Sequence, residues 1–274
     1  MWTKKEFKNW LELLQSDNEE SIAVALGMAE GNANVQWVLD LYLYLIRLHT
    51  YENMEDLKVV EIADVNCDLS FPEPLVPAYE WVSLDLSNFM LENLVADISH
   101  FRQLKFLNLN ANRLGHLPKE IGELVCLERL YLDDNRLVAL NPALAKLQRL
   151  ENVHLAYNQL KNIPLEFCVL SSLKVLNLRF NDLPSIPSEI GQLERLEVLN
   201  LAQNDIKELP IEMQSLKSLK SLLLYGNRLN AVPEWLGTLP RLENLNLEHT
   251  GISAKQLPTT LLEKKEAGIL ELYI

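Results

Sequence analysis

Leu104-Lys105-Phe106-Leu107-Asn108-Leu109-Asn110-Ala111-Asn112 is a phrase the chain writes again and again. The same frame restarts at Leu127, Leu150, Leu173, Leu196, Leu219 and Leu242, each 23 residues after the last and without insertion. Position 1 is always Leu, and positions 4 and 6 are aliphatic, with Val153 once standing for Leu. Position 9 is Asn in Asn112, Asn135, Asn158, Asn181, Asn204 and Asn227. A period this short cannot enclose a core of its own, so each unit must bury its apolar side against its neighbours in a solenoid.

Alternation over positions 3 to 6 predicts one short strand per repeat, all parallel in one sheet. Leu107 and Leu109 then face the core, while Phe106 and Asn108 face outward. The Asn at position 9 carries an amide that both donates and accepts, so it can satisfy backbone groups of adjacent turns that no strand reaches. It reads as a structural ladder and not as a binding site.

The second half of the repeat reads Leu117-Pro118-Lys119-Glu120-Ile121-Gly122-Glu123-Leu124, and recurs around Pro187-Ser188-Glu189-Ile190-Gly191. Pro164, Pro210 and Pro233 hold the same place, and Pro142 stands one position later. Proline is tolerated in the first turn of a helix, so the outer side is expected to carry one or two helical turns per repeat, opening on that proline. Strands pack ~4.8 Å apart and helical rods need ~10 Å, so the stack curves with its strands inside. Nine strands from Leu57 to Leu247 would line an inner wall of roughly 40 Å.

These motifs resemble the leucine-rich repeats, and the LeuProXaaXaaIleGlyXaaLeu form resembles their intracellular, Ras-associated (Ras-suppressor-like) group and cytosolic bacterial members. The resemblance covers residues ~57–250. It implies an α/β solenoid: a right-handed, curved horseshoe with a parallel concave sheet and short helical convex segments. For function it implies protein–protein binding in signalling or scaffolding.

The ends depart from the frame. Residues 1–56 are expected to form an N-terminal α-helical cap. Phe7, Trp10, Leu11 and Leu14 share one helical face, Ser16 to Glu19 reads as a capping box, and Asn34 opens an apolar third helix. Those helices cover the open end of the solenoid or hold a partner. The repeats run over 57–250, with weak first copies at Leu57 and Trp81 joined by Phe71-Pro72-Glu73-Pro74-Leu75-Val76-Pro77. Residues 251–274 form a C-terminal cap: a short helix from Thr259 to Glu266, a stop at Gly268, and a closing strand in Ile269 to Ile274.

Net charge is −13, and it is uneven: residues 1–80 hold 5 Lys/Arg against 15 Asp/Glu, or −10, leaving −3 for the rest. An acidic surface repels phosphate backbones and anionic bilayers, so neither nucleic acid nor membrane is expected as a partner. Cys67, Cys126 and Cys168 are too few and too scattered for disulfide caps and read as reduced packing residues. With no apolar leader at the N-terminus, a cytoplasmic location and a monomer are expected.

Function is sought at positions 3, 5, 7 and 8, which the fold does not consume. The middle repeats place there Arg129, Tyr131, Asp133, His154, Tyr157, Asn177, Arg179 and Phe180, and Tyr225 adds one more aromatic. Aromatic and Arg side chains in one exposed cluster have the composition of an interaction hot spot. The expectation is therefore a non-catalytic scaffold that binds a protein partner on the concave face, without cofactor or metal. Two alternatives stand beside it. One is binding through the acidic N-terminal helices with the repeats as spacer. The other is hydrolase-type chemistry centred on His154, against which stands the lack of a nucleophile or phosphate loop nearby.

Overall fold

A computed structural model describes residues 82–94 and 96–274. The helices expected over 1–56, the weak copy at Leu57, the proline-rich link, Trp81 and Cys67 lie outside the described residues.

Nine parallel strands form one open sheet in simple chain order. Eight of them repeat at the 23-residue step: β1 Ser83–Asp85, β2 Phe106–Asn108, β3 Arg129–Tyr131, β4 Asn152–His154, β5 Val175–Asn177, β6 Val198–Asn200, β7 Ser221–Leu223 and β8 Asn244–Asn246. Like positions pair with like, as in Leu130 with Val153 and Tyr131 with His154. The final strand, β9 Glu271–Tyr273, joins after a longer connection that contains helix α1, Thr259–Glu266. It pairs parallel to β8 and so extends the same sheet. Gly268, at φ 69°, ends the helix as its position suggested.

The core is a column of aliphatic side chains. Leu127, Leu130, Leu132, Leu137 and Leu147 are fully buried, and their counterparts in the neighbouring repeats repeat the pattern. Each such side chain contributes about 2 kcal/mol by leaving water, but the strands are only three residues long. Most of the backbone in each turn therefore needs partners that no strand supplies.

The Asn column provides them. Asn158 donates to the carbonyl of Leu132 in the preceding repeat at 2.9 Å and to Leu155 in its own at 3.1 Å. Its Oδ1 accepts from the Leu137 amide of the preceding repeat at 3.0 Å. Asn112, Asn135, Asn181, Asn204 and Asn227 each reach back in the same way. At the end of the column Thr250 has one hydroxyl donor, and it spends that on Leu247 within its own repeat.

The outer side carries a five-residue 3-10 turn in each of the first seven described repeats, as in Lys119–Glu123 and Ser188–Gln192, and a three-residue turn, Ala254–Gln256, in the last. The prolines sit differently from expectation. Pro118, Pro164, Pro187, Pro210 and Pro233 occupy the N-cap, just before the turn, with extended backbone such as φ −67°, ψ 148° at Pro187. An N-cap residue is non-helical, and proline's fixed φ is as compatible with that extended conformation as with a first turn. Only Pro142 lies inside its turn, and there Asn141 takes the N-cap and accepts from the Ala143 amide at 2.9 Å.

Adjacent turns approach closely at position 19. A Cβ on Gly122 would stand 2.6 Å from the Ala143 carbonyl oxygen, and Gly191 meets the Glu212 carbonyl in the same way. Position 2 forms a row of opposite charges: Lys105 with Glu128 at 3.5 Å, Glu151 with Lys174 at 2.9 Å, and Glu197 with Lys220 at 2.6 Å. The Lys220 ammonium, bonded to Glu197, holds that carboxyl below the usual range.

Two measurements check this account. Asn181→Ala should lower the unfolding free energy by about 2 kcal/mol, since it orphans the buried Leu160 amide and leaves the Leu155 and Leu178 carbonyls one donor each, from Asn158 and Asn204, whereas Asn152→Ala on the exposed side of β4 should change it by under about 0.5 kcal/mol. Gly122→Ala should cost about 2 kcal/mol in guanidinium denaturation, because backbone must move to admit the methyl group.

Candidate interaction face

The strands leave positions 3 and 5 on the sheet's inner face, and positions 7 and 8 follow at the strand ends. Position 5 has an ordinary occupant with a local task. Asp85, Asn108, Asn177, Asn200 and Asn246 each accept from the amide two residues on, at 2.9–3.2 Å. Asn177 was expected to face a partner, and its Oδ1 is committed to the Arg179 amide.

Tyr131 and His154 break that pattern, because neither can make the bond. The amide each leaves unserved is served by the preceding repeat. Asn110 Oδ1 accepts from the Asp133 amide at 2.7 Å, and Asp133 Oδ1 accepts from the Ala156 amide at 2.6 Å. Asp133 therefore does structural work that the sequence did not reveal, while its Oδ2 lies 3.5 Å from His154 Nδ1. Asn110 and Asp133 thus serve the donors that the rings of β3 and β4 leave, where β1, β2, β5, β6 and β8 use their own position-5 side chain and β7 has Leu223.

Those rings form a row across three strands. Phe106 meets Tyr131 edge to face with centroids 5.1 Å apart, and Tyr131 meets His154 at 4.5 Å. The Arg129 guanidinium lies over Phe106, 4.8 Å from its centroid. Phe106 is the member that sequence reasoning passed over. Its signal was its place at position 3, one strand from Arg129.

A second group sits at the strand ends. Position 8 has positive φ in all eight repeats, from Asn88 at 64° through Asp134 at 56° and Gly226 at 70° to His249 at 56°. Gly, Asn and Asp accept this left-handed region readily; bulky residues cost ~1–2 kcal/mol there. Tyr157 at φ 54° and Phe180 at φ 52° nevertheless occupy it. Their rings stack 4.5 Å apart at an interplanar angle of 17°. Arg179 lies over both, 4.9 Å from the Phe180 centroid and 5.9 Å from that of Tyr157. Tyr157 stays 50% exposed, so the stack is not a buried core element.

Tyr225 does not join either group. It pairs edge to face with His249 at 5.1 Å, near the C-terminal end of the stack. The intervening repeat presents Ala202 and Gln203, neither of which carries a ring.

The cysteines divide. Cys168 is fully buried, and desolvation, reinforced by Glu189, pushes its thiol up to about 12. It is the inert packing residue expected. Cys126 is not: it is half-buried at the end of an outer turn, with Arg149 Nη1 3.8 Å from its sulfur and Gln103 Oε1 at the same distance. Position 23 lies outside the aliphatic column, so nothing there demands a buried side chain.

Among the described residues no three His, Cys, Asp or Glu side chains converge in a set able to hold a metal. None of the described helices is long and apolar enough to cross a membrane. What the inner face offers is stacking area, two guanidinium edges and hydrogen-bonding rims on an open sheet.

Residues 158–265 match the family model for a leucine-rich repeat region, and residues 125–183 match that for the leucine rich repeat. The human volume-regulated anion channel subunit LRRC8A is 32% identical over 96 residues, 34% of this chain. The plant peptide hormone receptor RGFR1, solved in complex with RGF2, is 30% identical over 70% of this chain with a TM-score of 0.60. An internalin (inlF) from Listeria monocytogenes shares the fold at 20% identity over 70% of the chain, with a TM-score of 0.53. The chain spans 12% of the channel subunit, 32% of the receptor and 60% of the internalin.

Asp133→Ala should destabilise the solenoid by about 2 kcal/mol, because the amide of buried Ala156 loses its acceptor. Asp134→Asn, one residue away, should shift the denaturation midpoint by under about 0.5 kcal/mol equivalent.

Proposed function

The chain is a leucine-rich repeat protein, and we propose that it is a non-catalytic interaction module that binds a protein partner on the inner face between Arg129 and Phe180. The carrying observation is the Tyr157–Phe180 stack. Two large rings occupy a left-handed position where glycine or asparagine would cost less, remain exposed, and are roofed by Arg179. Ala111, Gln203 and His249 take the same backbone in other repeats, so what sets this pair apart is two stacked, exposed rings under a guanidinium. The row of Phe106, Tyr131 and His154 widens the same surface, and aromatic and arginine anchors carry most of the energy in protein interfaces.

The similarity to a peptide hormone receptor solved in complex with RGF2 fits this reading at the level of the repeat scaffold. A cytoplasmic, monomeric scaffold kin to the Ras-associated group belongs to the same proposal, and the free thiols of Cys126 and Cys168 favour a reducing compartment.

Combining Tyr131→Ala, Arg179→Ala, Tyr157→Gly and Phe180→Gly tests it; glycine is chosen for the last two because their φ is positive. The circular dichroism spectrum should be retained and the unfolding free energy should fall by no more than about 2 kcal/mol, within the range of exposed-site changes taken together. Capture of a partner isolated on the wild-type chain should drop at least tenfold. Undiminished capture by the folded variant would move the binding surface elsewhere.

A further inference from the structure

We propose that the ligand of this face is an extended peptide segment bearing two carboxylates, one for each of Arg129 and Arg179; the inference rests on the inner-face reading above. Among the described residues, positions 3, 5, 7 and 8 of the repeats hold no Lys or Arg except these two. Both are exposed, and each lies over an aromatic ring rather than beside a carboxylate. The contrast with the position-2 row is sharp, for there Lys105, Lys174 and Lys220 each have a glutamate partner one repeat away. A guanidinium over a ring is oriented by the π face while its N–H edge stays open, and that edge matches a carboxylate with two parallel bonds.

The carboxylates native to this face do not compete for the two arginines. Asp85 accepts from the Ser87 amide and the Asn108 side chain, and Asp133 from the Ala156 amide with His154 at its other oxygen. Glu248 accepts from Asn246 and Glu271 from the Tyr273 hydroxyl. Asp134 is the remaining acid, on the strand beside Tyr157, and it sets a limit: the acidic groups of the ligand must fall at the arginines and not at the strand end of β3.

The geometry sets a spacing as well. Arg129 and Arg179 are two strands apart and four positions apart along the strand direction, so their Cα atoms stand roughly 16 Å apart on the diagonal, from strands spaced ~4.8 Å and a rise of ~3.3 Å per residue. An extended peptide covers that distance in about five residues. Between the two anchors lie Tyr131 and His154, in contact with each other and able to take an apolar or aromatic side chain from the middle of the segment. The selected motif is therefore Asp or Glu at both ends of a five-residue step with a ring or aliphatic chain inside it.

A random twelve-residue peptide library displayed on phage, panned against the immobilised full chain, reads this directly. The wild type should enrich peptides with paired acids four or five residues apart, and the best of them, synthesised, should bind at least tenfold more tightly than its Glu→Gln counterpart in fluorescence anisotropy. Arg129→Gln and Arg179→Gln should each remove that tenfold preference while leaving the melting curve in place. Enrichment without excess acid, enrichment of Lys- or Arg-bearing peptides drawn to Asp134, no enrichment over bare matrix, or an acid preference that survives both arginine variants would each overturn the inference. Panning the Tyr131→Ala, Tyr157→Gly, Phe180→Gly variant separates the two levels. Non-acidic peptides that bind the wild type and not this variant would sink the carboxylates and keep the inner face, whereas peptides that bind the wild type, this variant and both arginine variants alike would sink the inner face itself.

Discussion

A buried side-chain amide holding two neighbouring turns together is the interaction on which this solenoid depends. Each strand is three residues long, so the ladder between strands satisfies only a small part of the backbone in each 23-residue turn. The turn after the strand would otherwise bury carbonyls and amides with no partner, at a cost of ~1–3 kcal/mol each. One Asn per repeat closes that gap in both directions, donating back to the preceding repeat and accepting from it. The aliphatic column supplies most of the free energy, and the Asn column makes its burial tolerable. Because both terms join nearest neighbours only, the structure is held as a chain of interfaces and not as one centre.

This arrangement decides how much freedom the inner face has. Position 5 is normally spent on the amide two residues ahead, so a ring placed there leaves a donor unserved. Tyr131 and His154 stand where they do because Asn110 and Asp133, each one repeat upstream, serve those donors instead. Position 8 imposes a different constraint, a left-handed backbone in every repeat, and Tyr157 and Phe180 accept it where Gly226 avoids the cost. Rings at positions 5 and 8 therefore coincide in the same three repeats, although Ala111, Gln203 and His249 take the left-handed backbone as well. Their coincidence is a stronger argument for function than the presence of aromatics alone, since isolated exposed rings are common on any surface.

Much of this was legible in the chain before any coordinates. The strand positions, the Asn column, the helix Thr259–Glu266 and the closing strand follow from periodicity and stop signals, because these are local or nearest-neighbour properties that recur at one spacing. Tyr131 with His154, and Tyr157 with Phe180, stand at like positions of neighbouring repeats, so the same register sets them side by side. Other points were not legible. Proline's φ suits both an N-cap and a first turn, so residue type could not separate them. Asp133 looked like a free surface acid, and Tyr225 looked like an extension of the cluster, whereas contacts one repeat away give the first a backbone partner and the second His249. Cys126 looked like a filler because the frame assigns position 23 no distinct environment.

By itself the sequence determined the repeat unit, its register and the side of the sheet to which each residue belongs, for a strict 23-residue period leaves a stacked chain no other way to bury its leucines. Only the tertiary structure decided which surface groups are already spent. A hydrogen-bond partner one repeat away is 21 to 26 residues off in sequence, and whether it is reached depends on angles and distances that no spacing encodes. That distinction turns a list of exposed residues into two arginines with open edges, set on rings, across a face whose other charges are mostly in use.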